Sequence, residues 1–260
     1  MAQRSGKPTR NKRPRERSGQ DILFGINPIM EAIKAGRRKV FRIIHKEGLQ
    51  GAAAASLLSL ARTKGIVVSQ APLEQVAAMA SAEGHQGIVA SVGPPVYSSF
   101  DKLLDQLARM DKPMVALLDG VMDPRNLGAI IRSAEAFGVA AVIYPERRAA
   151  TYTAVAAKAS AGAGEHMRLC PVVNIAEALR LLSRDDFECI ALEGEGGERM
   201  ENPPTGAVAL VLGGEGTGVR PLVAKRCGRS VRIPMRGQVG SLNVSAAAAI
   251  AFHWIASGRG

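Results

Sequence analysis

Three glycine-rich turns hold the residues of this chain that could do chemistry. The last runs Val231-Arg-Ile-Pro-Met-Arg-Gly-Gln-Val-Gly-Ser-Leu-Asn-Val-Ser-Ala246. A short β-branched run is stopped by Pro234, Gly237 and Gly240 let the backbone fold tightly, and a helix opens at Ser241 to Ser245. Ser241, Asn243 and Ser245 crowd that helix entrance, where backbone N–H groups without partners can meet a ligand's oxygens. Ser241 or Asn243 as a plain helix cap is the competing reading.

The first turn, Leu118-Asp-Gly-Val-Met-Asp-Pro-Arg-Asn-Leu-Gly-Ala-Ile-Ile-Arg-Ser-Ala134, places Asn126 where a helix begins. Gly128 there lets something approach the helix entrance closely. Arg132 follows within two turns on a neighbouring face, where a guanidinium could fork onto a phosphate; a capping Asn126 and a solvated Arg132 are the alternative. The second turn, Val208-Ala-Leu-Val-Leu-Gly-Gly-Glu-Gly-Thr-Gly-Val219, lacks the Gly-Lys-Ser/Thr of a phosphate-binding Walker loop. Glu215 among its glycines would repel a phosphate and favours a ligand bearing hydroxyls or a positive charge. Gly194-Glu-Gly-Gly-Glu198 lacks a following helix signal and reads as a surface turn.

Each of these turns follows an apolar strand. From Phe100 the expected elements are a helix over 100–110, a strand at Met114 to Leu118, a helix to Phe137, a strand at Val139 to Tyr144 and a helix near Thr153 to Ser160. Flexible Gly162-Ala-Gly164 comes next. A strand at Met167 to Val172, a helix over Ile175 to Ser183 capped by Asn174, and a strand at Phe187 to Leu192 follow. Ala207 to Leu212, wholly apolar, suits the middle of a parallel sheet covered on both faces. Upstream, Ile22 to Val92 alternates strand and helix in a compact α/β pattern, and Gly93-Pro-Pro-Val-Tyr-Ser-Ser99 is an extended linker. The division is a disordered basic tail (1–20), a small α/β domain (21–93), a linker and leading helix (94–113), and a larger α/β domain (114–260).

Charge points to the partner. Of the net +11, the first twenty residues supply six, seven Lys/Arg against Glu16. A basic tail on a basic body favours a polyanion such as nucleic acid. The tail lacks the apolar stretch of a signal peptide, and no apolar run reaches membrane-span length. Cys170, Cys189 and Cys227 lie far apart, as expected of free thiols in a reducing cytoplasm. The four histidines show no metal-ligand spacing, so no metal is expected.

Asp123-Pro-x-Asn126-x-Gly128-x3-Arg132, Leu212-Gly-Gly-Glu215-Gly-x-Gly218 and Ile233-Pro-Met-x-Gly237-x3-Ser241-Leu-Asn243-Val-Ser245 resemble, in order and spacing, the three motifs of the SpoU (TrmH-like) RNA ribose 2′-O-methyltransferases. Phe24-Gly-Ile-Asn-Pro28 and His85-Gln-Gly-Ile88 are similar to the substrate-binding domain of the subgroup that methylates a guanosine in large-subunit ribosomal RNA. The resemblance implies a parallel-sheet domain with a trefoil knot, homodimerisation with the site near the interface, and S-adenosylmethionine as methyl donor. By motif position, Gly213, Ile233 and Leu242 would contact the cofactor through their backbone, and Asn126, Arg132, Glu215, Ser241 and Asn243 match active-site positions. The alternatives are transfer RNA as substrate and a non-catalytic RNA-binding assembly factor. In the first domain, Lys34 to Lys39, Arg42 and the tail are expected to contact phosphates, with Phe24 and Phe41 in the core.

Overall fold

The structure, a computed structural model, describes residues 19–238 and 240–259. The expected disordered tail therefore falls almost wholly outside the described residues. Two sheets organise the rest. The first comprises β1 (Asp21–Phe24), β2 (Val40–Lys46), β3 (Val67–Ala71) and β4 (Ile88–Val92), in spatial order β1-β4-β2-β3. β4 runs antiparallel to β1 and β2, and β2 pairs with β3 in parallel. Three helices pack on it: α1 (Ile26–Ala35), α2 (Ala52–Thr63) and α3 (Leu73–Ala80). α1 ends where expected, because Gly36 adopts the left-handed conformation at φ 61° that a glycine takes without cost.

The second sheet has seven strands: β5 (Met114–Asp119), β6 (Ala141–Pro145), β7 (Leu169–Val172), β8 (Glu188–Glu193), β9 (Glu198–Arg199), β10 (Val208–Gly213) and β11 (Arg229–Arg232). Their order is β7-β6-β5-β10-β8-β11-β9 and every pairing is parallel. β10 thus takes the central place its apolar sequence predicts. Because successive strand residues point to opposite faces, Met114, Ala116 and Leu118 of β5, with Val208, Leu210 and Leu212 of β10, join one core. Val115, Leu117, Ala209 and Val211 join another. The first core is covered by α5 (Pro124–Ala136) and α9 (Val244–Ser257), the second by α4 (Phe100–Leu107) and α7 (Ile175–Arg184). The remaining α-helices among the described residues are α6 (Ala154–Ala159) and the short α8 (Pro221–Ala224).

Three expectations change. Gly162-Ala-Gly164, expected to be flexible, leads into a 3-10 turn, Ala163–Glu165, with Gly164 and Glu165 buried. A Cβ on Gly164 would lie 2.3 Å from the Tyr152 ring, so this glycine is there for packing. Phe24 is core, but Phe41 is only half-buried, with the Lys39 ammonium 5.2 Å from its ring centre. The Gly194 to Gly206 connection contains β9, which pairs with the edge of β11.

Candidate active site

The C-terminal ends of β5, β10 and β11 bring the three turns together, as open parallel sheets do with their binding loops. The helix following β5 is capped by Asp123, whose Oδ1 accepts from Arg125 N at 2.8 Å, with Pro124 in the first turn. Asn126 is therefore not the cap, and its amide is free to turn inward. It donates to Glu215 Oε1 at 2.5 Å and accepts from Asn243 Nδ2 at 3.1 Å. Asn243 Nδ2 also lies 3.0 Å from Glu215 Oε1. The two competing readings of Asn243 are both true. It is the cap of α9, its Oδ1 accepting from Ser245 N at 2.9 Å and Ser245 Oγ at 2.6 Å, while its amide nitrogen joins the trio.

The glycine turn after β10 is held by close backbone packing. A Cβ on Gly213 would meet the Gly218 carbonyl carbon at 2.1 Å and Val219 N at 2.3 Å, and one on Gly214 would meet Gly120 O at 2.3 Å. Gly216 and Gly218 hold positive φ of 74° and 61°. Asp119, buried at the end of β5, accepts from Arg220 N at 2.9 Å and Arg220 Nε at 2.8 Å. These hydrogen bonds push the Arg220 guanidinium above its ordinary pKa. Asp119 and Arg220 escaped the reading of the sequence; the signal was an acidic residue ending an apolar strand.

A cavity of about 910 Å³ opens between the second and third turns. Gly213, Ile233 and Leu242 line it, as do Glu215, Ser241 and Asn243. So do Glu193 at the end of β8 and, from the exposed turn that follows as expected, Gly194 and Glu195. The wall therefore mixes closely packed backbone, apolar side chains including Met235, and carboxylates at Glu193, Glu195 and Glu215. That chemistry fits S-adenosylmethionine: the volume suits a nucleoside, and carboxylates attract a sulfonium or ammonium.

Two first-turn residues behave differently. Arg132 is exposed on α5 and is not among the residues that line the cavity. Gly128 is buried, but what approaches it is protein: an added Cβ would meet Ala156 O at 2.4 Å and the Ala159 Cβ at 2.6 Å, so α6 packs directly on α5. Among the described residues no cluster of His, Cys, Asp or Glu could hold a metal ion, and no helix is long and apolar enough to cross a membrane.

The SpoU rRNA methylase family matches residues 113–253, and the family described as RNA 2′-O ribose methyltransferase substrate binding matches residues 22–98. The chain is 34% identical over 231 residues to the 23S rRNA (guanosine-2′-O-)-methyltransferase RlmB of Escherichia coli K12, covering 88% of this chain and 95% of that protein. Against the protein of the same description from Yersinia pestis, identity is 33%, with 92% and 98% covered. In fold it is similar to the SpoU methyltransferase AviRb of Streptomyces viridochromogenes, solved with AdoMet, at a TM-score of 0.75, 22% identity, and 92% and 90% of the two chains covered. The chain belongs to the SpoU rRNA methylase family and is an S-adenosylmethionine-dependent RNA ribose 2′-O-methyltransferase.

Proposed function

We propose that this enzyme methylates the 2′-hydroxyl of a guanosine in 23S ribosomal RNA, with Asn126, Glu215 and Asn243 as the centre of its active site. The observation that carries the site is the mutual hydrogen bonding of these three side chains from three separate turns at the edge of one cavity. The target is favoured by the relatives' printed activity and by the match of residues 22–98 to a substrate-binding family.

S-adenosylmethionine, when bound, supplies an electrophilic methyl group on a sulfonium. Gly213, Ile233 and Leu242 would hold it, largely by backbone, where the glycine turn excludes side chains. Glu215 orients two amides at once, and a side chain so held costs no reorganisation when the ribose arrives. Asn126 and Asn243, supported by Ser241, then fix the hydroxyl in line with the methyl carbon. Orientation alone supplies about 7–11 kcal/mol in favourable cases. A guanidinium resists deprotonation, so Arg132 is assigned to the RNA phosphate and to developing negative charge rather than to taking the proton. Its exposure leaves its fork free for RNA.

Residues 21–93 are assigned to RNA recognition and 114–260 to methyl transfer, with 94–113 connecting them. The family resemblance also supports a trefoil knot in the second part, a homodimer with the site near the interface, and work in the cytoplasm, where free thiols at Cys170, Cys189 and Cys227 persist.

The test is mass spectrometry of nuclease-digested 23S RNA, transcribed without modifications and incubated with the purified protein and S-adenosylmethionine. One new 2′-O-methylguanosine is the expected result. Methylation confined to transfer RNA would move the target, and none in either RNA would reject the reading.

A further inference from the structure

The basic turn after α1 does not simply await phosphates. Arg38, whose side chain is only 4% exposed, forks onto the equally buried Glu165: Nε lies 2.9 Å from Oε2 and Nη2 lies 2.5 Å from Oε1. Tyr152 Oη donates to the same carboxylate at 3.1 Å. Arg37 Nη1 donates to Met167 O at 2.6 Å. Arg38, one of the basic residues assigned above to RNA, is thus consumed inside the protein, because the 3-10 turn offers a buried carboxylate where it emerges, and half-buried Arg37 is drawn to the Met167 carbonyl just beyond that turn.

The small sheet's two motifs meet the same surface. Lys158 of α6 donates to Gln86 Oε1 at 2.7 Å, and that oxygen also accepts from Ile26 N at 3.1 Å. Gly25 makes room for the lysine: a Cβ there would lie 2.6 Å from Nζ. Gly162 admits α1, since its Cβ would meet Glu31 Cβ at 2.7 Å, and His166 Nε2 sits 2.8 Å from Glu31 Oε2. Phe24-Gly-Ile-Asn-Pro28 and His85-Gln-Gly-Ile88 therefore contribute to a seam.

We propose that this seam locks the small unit in one pose on the methyltransferase unit, with Arg38 and Lys158 as positioning residues that set how RNA reaches the Asn126–Glu215–Asn243 trio. The RNA part rests on the function proposed above. A buried ion pair is a poor source of net stability but a good source of geometry, since a planar fork on a carboxylate is satisfied in few orientations. The seam also connects to the site by packing: α6 carries Lys158, and its backbone lies against Gly128, two residues from Asn126.

The test uses the full chain with saturating S-adenosylmethionine. The variants are Lys158→Ala, its conservative control Lys158→Arg, and the double change Arg38→Met/Glu165→Gln, which removes both buried charges together. Small-angle scattering reads the pose, and steady-state methylation of unmodified 23S RNA reads its effect. The proposal expects a larger radius of gyration for Lys158→Ala and for the double variant. KM for RNA should rise about tenfold if only a tenth of molecules keep the competent pose. kcat and cofactor affinity should stay near wild type, and Lys158→Arg should restore both readouts. Unchanged scattering in both variants, each folded by circular dichroism, overturns the lock. An enlarged particle with unchanged KM overturns the positioning role. The scattering arm needs no RNA, so it stands even if the proposed target is wrong.

Discussion

Glu215→Gln tests the site most sharply. The substitution keeps shape and one acceptor oxygen but removes the charge shared by Asn126 and Asn243. A hydrogen bond to an ionised group contributes about 1.5–3 kcal/mol and a neutral one about 0.5–1.5 kcal/mol, so each contact loses about 1 kcal/mol. Two contacts give about 2 kcal/mol, halved to about 1 kcal/mol if solvent screens this exposed carboxylate. The barrier should therefore rise by about 1–2 kcal/mol, a fall in kcat of about five- to thirtyfold. Single-turnover transfer of labelled methyl to 23S RNA measures this, with calorimetric cofactor affinity read alongside. Glu215→Asp should do no better, because a side chain one methylene shorter draws back the single oxygen on which both amides converge. Wild-type turnover in the glutamine variant, or a loss confined to cofactor affinity, would refute the argument.

Gly213→Ala should abolish cofactor binding by calorimetry while the fold persists by circular dichroism, since its Cβ would meet rigid backbone at 2.1 Å rather than a movable side chain. Arg220→Met removes the charge that faces buried Asp119 and should lower unfolding free energy in urea by about 2–3 kcal/mol, less than the usual cost of orphaning a buried ion because Arg220 N still donates. An unshifted urea midpoint would show that Asp119 needs no cation. Burial pushes the Cys170 and Cys189 thiols up to about 11 and Cys227 to about 12. Iodoacetamide at pH 8 should therefore label all three slowly in the folded protein and rapidly in urea, as read by intact mass.

The middle of the large sheet was legible because β5, β6 and β10 are apolar on both faces and the turns carry glycine at backbone contacts. Leu212-Gly-Gly-Glu215 announces both at once. Asn126 and Asn243 could be named from their place at helix entrances, yet only coordinates separate a cap from an inward amide. Asp123, not Asn126, turned out to be the cap of α5. Arg38 misled for a physical reason. A cluster of positive charge looks the same in sequence whether an RNA phosphate or a distant Glu165 neutralises it, and the partner here lies 127 residues away. Gly128 likewise signals close approach without saying by what.

The place of β10 at the centre of the sheet bears on when the enzyme comes into being. Its neighbour β5 is made roughly 90 residues earlier, and β8 on its other side also precedes it, so the central pairing closes late. On a translating ribosome the four-stranded sheet, complete by Val92, can assemble first. The strands β5 to β8 then wait with an unfilled slot until β10 emerges. Asn243, still further along the chain, reaches Asn126 only after that slot is filled, so on the function proposed above a truncated nascent chain carries the RNA-recognition part before any capacity to transfer a methyl group.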